Sequence, residues 1–156
     1  LVGSEMCIRD SFQTSKEITE KYAADGIKAY ISVNKALVTQ SSAAIPIVPL
    51  YISILYKVMK EKGVHEGCIE QMYRLFAEKF GADGKPVSGA VDGEGRIRLD
   101  DLEMKPEIQD EVTKLWNILN ADNFKEYTDI EGYWKDFYEL FGFGIDGVDY
   151  EADVEV

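Results

Sequence analysis

Apolar residues recur along this chain in stretches of distinct period. From Ser15 to Asp25 they follow a helical face, Ile18, Tyr22 and Ala23, and Gly26 stops it. Ala29–Asn34 changes period: Tyr30, Ile31 and Val33 are β-formers and predict a short strand. The apolar density then falls through Leu37-Val38-Thr39 into small residues, Gln40-Ser41-Ser42-Ala43-Ala44, which predict a loop. The most hydrophobic stretch, Ile45–Tyr56, comes next. A helix is expected to start after Pro49, which suits a first helical position, and to end at Gly63. Lys57, Lys60 and Lys62 near its C-terminus suit the helix dipole. Its apolar residues wrap right around it: Leu50, Ile54, Leu55 and Val58 on one side, Ile52, Tyr56 and Met59 on the other. Such a helix needs cover on several sides.

Amphipathic helices dominate the rest. Residues 65–80 predict one with Cys68, Ile69, Met72, Leu75 and Phe76 inward and a Glu70–Arg74 pair outward. Val87–Leu99 is glycine-rich and holds at most a small hairpin, with Arg96–Leu99 as one arm. Lys105-Pro106 opens a helix with Ile108, Val112, Leu115, Trp116 and Leu119 at helical spacing. A turn at Asn123–Tyr127 leads to Thr128-Asp129-Ile130-Glu131, which reads as a capping box. The last helix then buries Ile130, Tyr133, Trp134, Phe137 and Phe141 and stops at Gly142. Residues 1–11 show neither helical nor strand period. They lack the pattern of a signal peptide and resemble a translated sequencing adaptor, so they are expected to be a non-native leader.

A net charge of −12 over 156 residues, without a Lys/Arg cluster, argues against nucleic acid or an anionic membrane as partner. With 46% hydrophobic residues the chain can build a core, and the Ile45–Tyr56 run is too short to span a bilayer. Cys7 and Cys68 suit a reducing cytosol better than a disulfide framework, so a cytoplasmic location is expected. Cys68 reads as a core thiol. His65, the single histidine, reads as a packing or capping residue, and no metal site is expected.

Two motifs fail on context. Gly142-Phe143-Gly144-Ile145-Asp146-Gly147 matches G-x-G-x-x-G, but a helix precedes it and an acidic tail follows, the reverse of a dinucleotide turn. Asp92–Glu103 places acids as a calcium loop would, yet Arg96 takes a ligand position and Ile97 the required glycine.

The best site candidate is the stretch from Ala29 to Thr39 and the small residues behind it. A strand opening into a small-residue turn and then a helix is how an open α/β sheet builds a ligand crevice. The plain alternative is an ordinary connection. Tyr30-Ile31-Ser32-Val33-Asn34-Lys35-Ala36-Leu37-Val38-Thr39, followed by Ile45-Pro46-Ile47-Val48-Pro49-Leu50-Tyr51, closely resembles the trans-2-enoyl-CoA reductases, the V-type NADH-dependent enoyl-thioester reductases. Residues 57–71, Arg96–Asp101 and Gly147–Ala152 resemble the same family, in order.

The resemblance implies an α/β, Rossmann-like fold seen in its C-terminal part, mostly helical with one core strand and a small hairpin. It implies residues 12–91 as the end of a catalytic domain and 92–156 as a helical segment that the family labels FAD-binding. Nothing in those residues supports flavin. The implied activity is NADH-dependent reduction of enoyl-CoA or enoyl-acyl-carrier-protein, by a monomer. Backbone groups of Leu37 and Val38 would meet the nicotinamide carboxamide and the Thr39 hydroxyl a phosphate, while Val48, Tyr56 and Tyr133 would line the acyl pocket. The family's catalytic Tyr-x8-Lys is absent; only Tyr51–Lys60 has that spacing, in the wrong element. The fragment alone is therefore expected to be inactive, and the wrapped helix 50–62 to be partly uncovered. The rival reading is a non-enzymatic acidic helical interaction module, binding calcium or a partner.

Overall fold

The computed structural model describes residues 2–153. The elements run α1 (Val2–Lys21), a 3-10 turn (Ala23–Asp25), β1 (Ile31–Val33), α2 (Gln40–Ala44), α3 (Val48–Glu61) and α4 (Cys68–Glu78). They continue with β2 (Arg96–Arg98), α5 (Pro106–Ile118), α6 (Phe124–Tyr127) and α7 (Ile130–Glu139). The architecture is mostly helical with a small parallel sheet. Two compact units result: residues to Lys35 with Cys68–Asp101, and Ala36–Gly67 with the chain from Leu102 onward.

In the first unit α1 begins at Val2, so the expectation that residues 1–11 lack helical structure is corrected from that residue on. Between Ser4 and Lys21 no glycine or proline interrupts the run, and Gln13 donates to Glu17 one turn on at 2.7 Å. Gly26 ends the 3-10 turn in the left-handed region, at φ 74°. β1 pairs in parallel with β2, Ile31 opposite Arg96 and Val33 opposite Arg98. The expected hairpin survives as a single antiparallel bridge, Val91 to Ile97, closed by Gly95 N–H donating to the Asp92 carbonyl at 3.0 Å. The arm read as half a hairpin thus serves chiefly as a second strand of the sheet.

α4 turns a different face inward from the one expected. Ile69, Tyr73 and Phe76 are 80, 74 and 70% exposed and Cys68 is exposed, while Gln71 and Arg74 are buried with Leu75. Backbone groups elsewhere explain this. Lys35 N–H donates to the Gln71 side-chain carbonyl at 2.9 Å, and Arg74 donates to the Leu99 carbonyl at 2.7 Å and to Asp101 at 2.8 Å. Buried backbone donors and acceptors must find partners. A stripe at 71, 74 and 75 supplies them where an apolar stripe could not. Leu75, Ile97 and Leu99 form the apolar centre of this unit.

The second unit is built around α3. Ile54, Leu55, Val58 and Met59 pack on Ile108, Val112 and Leu115 of α5. On the other side Ile52 and Tyr56 meet Val38 and Tyr133 of α7. Ile52, Ile54, Leu55, Tyr56 and Met59 have no exposed surface, so the expectation of an uncovered apolar patch on this helix is corrected. The helix begins two residues earlier than expected, with Pro49 in its first turn. The chain enters it at Ile47, whose φ of 74° is rare for a β-branched residue.

The small-residue run is a short helix rather than a loop. Thr39 caps α2: its hydroxyl accepts from Ser42 N–H at 3.0 Å and its own N–H donates to the Ser42 hydroxyl at 2.8 Å. Reciprocal satisfaction of two end donors is what lets five residues hold a helix. At α7 the cap is Asp129, which accepts from Gly132 N–H at 3.1 Å; Thr128 instead donates to the Phe124 carbonyl at 2.7 Å. Tyr133 is buried, whereas Trp134 and Phe141, expected inside, are 46 and 49% exposed. Among the described residues no helix is long and apolar enough to cross a membrane.

Candidate functional site

Four of the six residues singled out from the resemblance meet in the second unit. Val38, Tyr56 and Tyr133 form one buried cluster with Ile52, and Val48 packs against it together with Ile130 and Phe137. Helical spacing accounts for part of this. Val48, Ile52 and Tyr56 fall at i, i+4 and i+8 on α3, and Ile130, Tyr133 and Phe137 at i, i+3 and i+7 on α7. Tyr56 and Tyr133 are almost fully covered, so they form a wall rather than an open slot. Leu37 is half-buried, and its carbonyl accepts from the Ser42 hydroxyl at 2.9 Å. Thr39 stands exposed at the edge of the cluster.

Hydrogen bonds tie the cluster to the turn. Val38 N–H donates to the Tyr56 hydroxyl oxygen at 3.4 Å. Burial first, then the charge of nearby Asp136, holds the Tyr56 hydroxyl well above its ordinary pKa. Burial also raises Tyr133. Lys60 lies 5.4 Å from the centre of the Tyr56 ring and pairs with Asp129, and His65 stacks edge-on against Tyr56 at 4.5 Å. His65 is therefore a packing residue.

The turn meets the needs of a dinucleotide in part. A hydroxyl carries one donor and two acceptor sites. Thr39 uses an acceptor site on Ser42 N–H, which leaves its hydrogen for a phosphate oxygen. The Val38 amide is engaged by Tyr56, so that residue can serve a carboxamide through its carbonyl.

Sequence reasoning missed two carboxylates here. Asp136 lies on the same helical face as Tyr133, one acid in an aromatic stripe, which is the signal that could have found it. Glu103, only 6% exposed, accepts from Ala36 N–H at 2.7 Å and from the Tyr51 hydroxyl at 2.6 Å. It had counted only as the twelfth position of a failed calcium loop.

That loop is occupied by the protein's own cations. Asp92 accepts from the N–H groups of Arg96 and Glu94 at 2.9 Å each and from the Arg96 guanidinium at 2.7 Å, and Arg98 pairs with Asp100. Hydrogen bonds from the Arg96 backbone and side chain hold the Asp92 carboxyl below its ordinary range. The Gly142–Gly147 run is an exposed set of turns, and no helix follows it among the described residues. The Tyr150 hydroxyl closes it, donating to the Gly142 carbonyl at 2.8 Å.

Residues 7–80 match the family model described as the trans-2-enoyl-CoA reductase catalytic region, and residues 91–154 match the one described as the enoyl reductase FAD binding domain. A trans-2-enoyl-CoA reductase [NADH] of Ruminiclostridium cellulolyticum is 57% identical over 144 residues, covering 92% of this chain and 35% of the relative. An enoyl-[acyl-carrier-protein] reductase [NADH] of Coxiella burnetii is 54% identical over 145 residues, again covering 92% of this chain and 35% of the relative. The crystal structure of Clostridium acetobutulicum trans-2-enoyl-CoA reductase in complex with NADH superposes with a TM-score of 0.84 at 48% identity. That alignment covers 94% of this chain and 36% of that one. The Treponema denticola reductase in complex with NAD gives 0.80 at 44% identity, over 92% of this chain and 35% of that one. The chain thus spans about a third of the length of its curated relatives.

The cavity lined by residues of the C-terminal segment does not fit FAD. Bounded by Lys125, Thr128, Asp129, Ile130 and Glu131, it measures 160 Å³. Ligand pockets of this kind run to about 300–1,000 Å³ with apolar walls. The glycine run offers carboxylates, Asp146 and Asp149, where a diphosphate needs donors. The two family models in sequence order, the identity over nine-tenths of the chain and the matching fold leave one assignment: the chain belongs to the trans-2-enoyl-CoA/enoyl-[acyl-carrier-protein] reductase family.

Proposed function

We propose that this chain is the C-terminal part of an NADH-dependent reductase of trans-2-enoyl thioesters, and that its second unit carries one side of the cofactor and acyl sites. The observation that carries this reading is the buried cluster of Val38, Val48, Tyr56 and Tyr133 beside the exposed Thr39 cap. Bound NADH would supply the hydride that reduces the enoyl double bond. The chain's own residues orient and enclose. Thr39 donates to a phosphate oxygen, Leu37 and Val38 present backbone groups to the carboxamide, and Val48, Tyr56 and Tyr133 close the acyl side and exclude water. Residues 12–91 finish the catalytic domain and 92–156 buttress it; the whole enzyme acts as a cytoplasmic monomer.

The proton donor is not in this chain. Tyr51 and Lys60 have the family's spacing, but nine residues of helix separate them by about 13 Å and roughly half a rotation. Tyr51 hydrogen-bonds Glu103, while Lys60 pairs with Asp129. They cannot share a substrate.

The test joins this segment to the N-terminal two-thirds of the R. cellulolyticum relative. Oxidation of NADH that depends on crotonyl-CoA or crotonyl-acyl-carrier-protein is expected of the joined protein and not of the 156-residue chain alone. Activity in the chain alone, or a joined protein that folds and binds NADH without reducing either thioester, would overturn the reading.

A further inference from the structure

Glu103 is a buried carboxylate with no part in the apolar core. Its side chain is fixed at both oxygens: Oε2 by Ala36 N–H at 2.7 Å and Oε1 by the Tyr51 hydroxyl at 2.6 Å. Gln109 braces the arrangement, donating to the Glu103 main-chain carbonyl at 2.9 Å and to the Tyr51 hydroxyl oxygen at 3.2 Å. Taking a carboxylate out of water is costly unless its oxygens are satisfied. A charged acceptor in return makes hydrogen bonds roughly twice as strong as neutral ones, and it can accept along two diverging directions at once. Those directions lead to the backbone just before Leu37 and to α3.

A second contact acts two residues on: the Tyr56 hydroxyl oxygen receives Val38 N–H at 3.4 Å. The amides of Ala36 and Val38, which flank Leu37, are thus both anchored, one by an acid of the C-terminal segment and one by a tyrosine of α3. The next residue, Thr39, is locked by its own cap to Ser42. A turn whose consecutive backbone positions are held this way is preorganised. Displacing such a group by about 1 Å can cost on the order of a hundredfold in rate.

We propose that Glu103 is a positioning residue that sets the backbone of Ala36–Thr39 for the dinucleotide. This rests on reading Leu37–Thr39 as the cofactor turn. It gives the segment matched by the FAD-domain description a role in holding NADH rather than flavin.

The test uses the joined full-length protein described above, with Glu103→Ala, Glu103→Gln and Tyr56→Phe. Amide hydrogen exchange is read at Ala36 and Val38, and NADH binding by nucleotide fluorescence. Glu103→Ala is expected to speed exchange at Ala36 and to weaken NADH binding about tenfold or more, with the KM for crotonyl-CoA held within about twofold. Glu103→Gln keeps an acceptor for Ala36 N–H and should recover most of both effects; it also serves if Glu103→Ala fails to fold. Tyr56→Phe, which removes the acceptor of Val38 N–H, should speed exchange at Val38 in the same way. Unchanged exchange at Ala36 in Glu103→Ala overturns the clamp. Faster exchange with NADH binding kept within about twofold shows that the turn does not hold the cofactor, and the positioning role falls with that reading. Equal losses in NADH affinity, crotonyl-CoA KM and melting temperature that Glu103→Gln does not rescue would make Glu103 merely structural.

Discussion

The amide nitrogen of Val38 and the hydroxyl oxygen of Tyr56 lie 3.4 Å apart, and that contact joins the small-residue turn to the centre of the longest buried helix. The Tyr56 ring has no exposed surface. Tyr56→Phe keeps the ring but leaves the Val38 amide without its partner. A buried polar group so orphaned costs about 1–3 kcal/mol, and urea unfolding should show a loss of that size.

The same tyrosine should shape the alkaline limb of stability. Its folded pKa lies above its ordinary value of 10.0, so the folded state keeps a proton that the unfolded chain releases. Stability from this source is complete below about pH 10 and falls as pH rises beyond it, by at most about 1.4 kcal/mol per pH unit. Tyr51, raised by burial and by its bond to Glu103, acts in the same direction. Unfolding midpoints between about pH 8 and 11.5 should fall less steeply in Tyr56→Phe than in the parent. Parallel slopes would mean that the hydroxyl titrates as it does in the unfolded chain.

Thr39 has two roles that substitution can separate. As the cap of α2 its loss should cost about 1 kcal/mol. As a donor to a charged phosphate oxygen it should be worth roughly 1.5–3 kcal/mol, or about ten- to a hundredfold in NADH affinity. Thr39→Ala removes both, whereas Thr39→Ser restores both. Tyr133→Phe is the control, expected to spare NADH. Should Thr39→Ala in the joined enzyme leave the NADH constant within about twofold, the turn is only a connection.

How far these features could be read in advance depended on how local their causes are. α5 was legible because Pro106 suits its first turn and Ile108, Val112 and Leu115 fall on one face. β1 was legible from its β-formers, but not its parallel pairing with β2, some sixty residues away, which no local pattern encodes. α2 was missed because a Thr39–Ser42 box lacks the usual acidic or amide partner at its third position. α4 was read inside out, since Gln71 and Arg74 are drawn inward by the backbone of Lys35 and Leu99. Periodicity placed Tyr56 and Tyr133 in helices. Only the resemblance grouped them with Val48, and neither source set them against Val38 or pointed to Glu103, whose purpose appears once Ala36 and Tyr51 stand next to it.

The inverted α4 moves the expected adhesive surface. α3 is covered, while Ile69, Tyr73 and Phe76 form an exposed apolar stripe with a 490 Å³ groove along it. Stripes of this kind drive self-association. The isolated chain should bind an apolar-surface dye and sediment as mixed oligomers at micromolar concentration. Ile69→Lys with Tyr73→Lys should suppress both while changing stability by less than about 0.5 kcal/mol, since the side chains are mostly exposed. Unchanged dye binding in that double variant would place the adhesive surface elsewhere.

Arg74 holds Leu99 and Asp101, which respond differently to substitution. It donates to the buried Leu99 carbonyl at 2.7 Å and to Asp101, whose side chain is 43% exposed, at 2.8 Å. Arg74→Ala should therefore cost about 1–3 kcal/mol, most of it from the orphaned carbonyl. Asp101→Asn should cost no more than about 1 kcal/mol, because solvent screens the pair. Partial burial pushes the Asp101 carboxyl up, but the hydrogen bond and charge of Arg74, with Lys79, more than offset it and hold the carboxyl below its ordinary value of 3.8. A lowered folded pKa means that the stabilisation is present above the unfolded value and is lost as pH falls through the folded one. Asp101→Asn should flatten the acid limb below about pH 4 and leave the alkaline limb as it was. In the double variant the loss should fall short of the sum of the single ones by the worth of the pair, about 1 kcal/mol or less. Strict additivity, together with an unaltered acid limb in Asp101→Asn, would show that Arg74 does not stabilise the fold through Asp101.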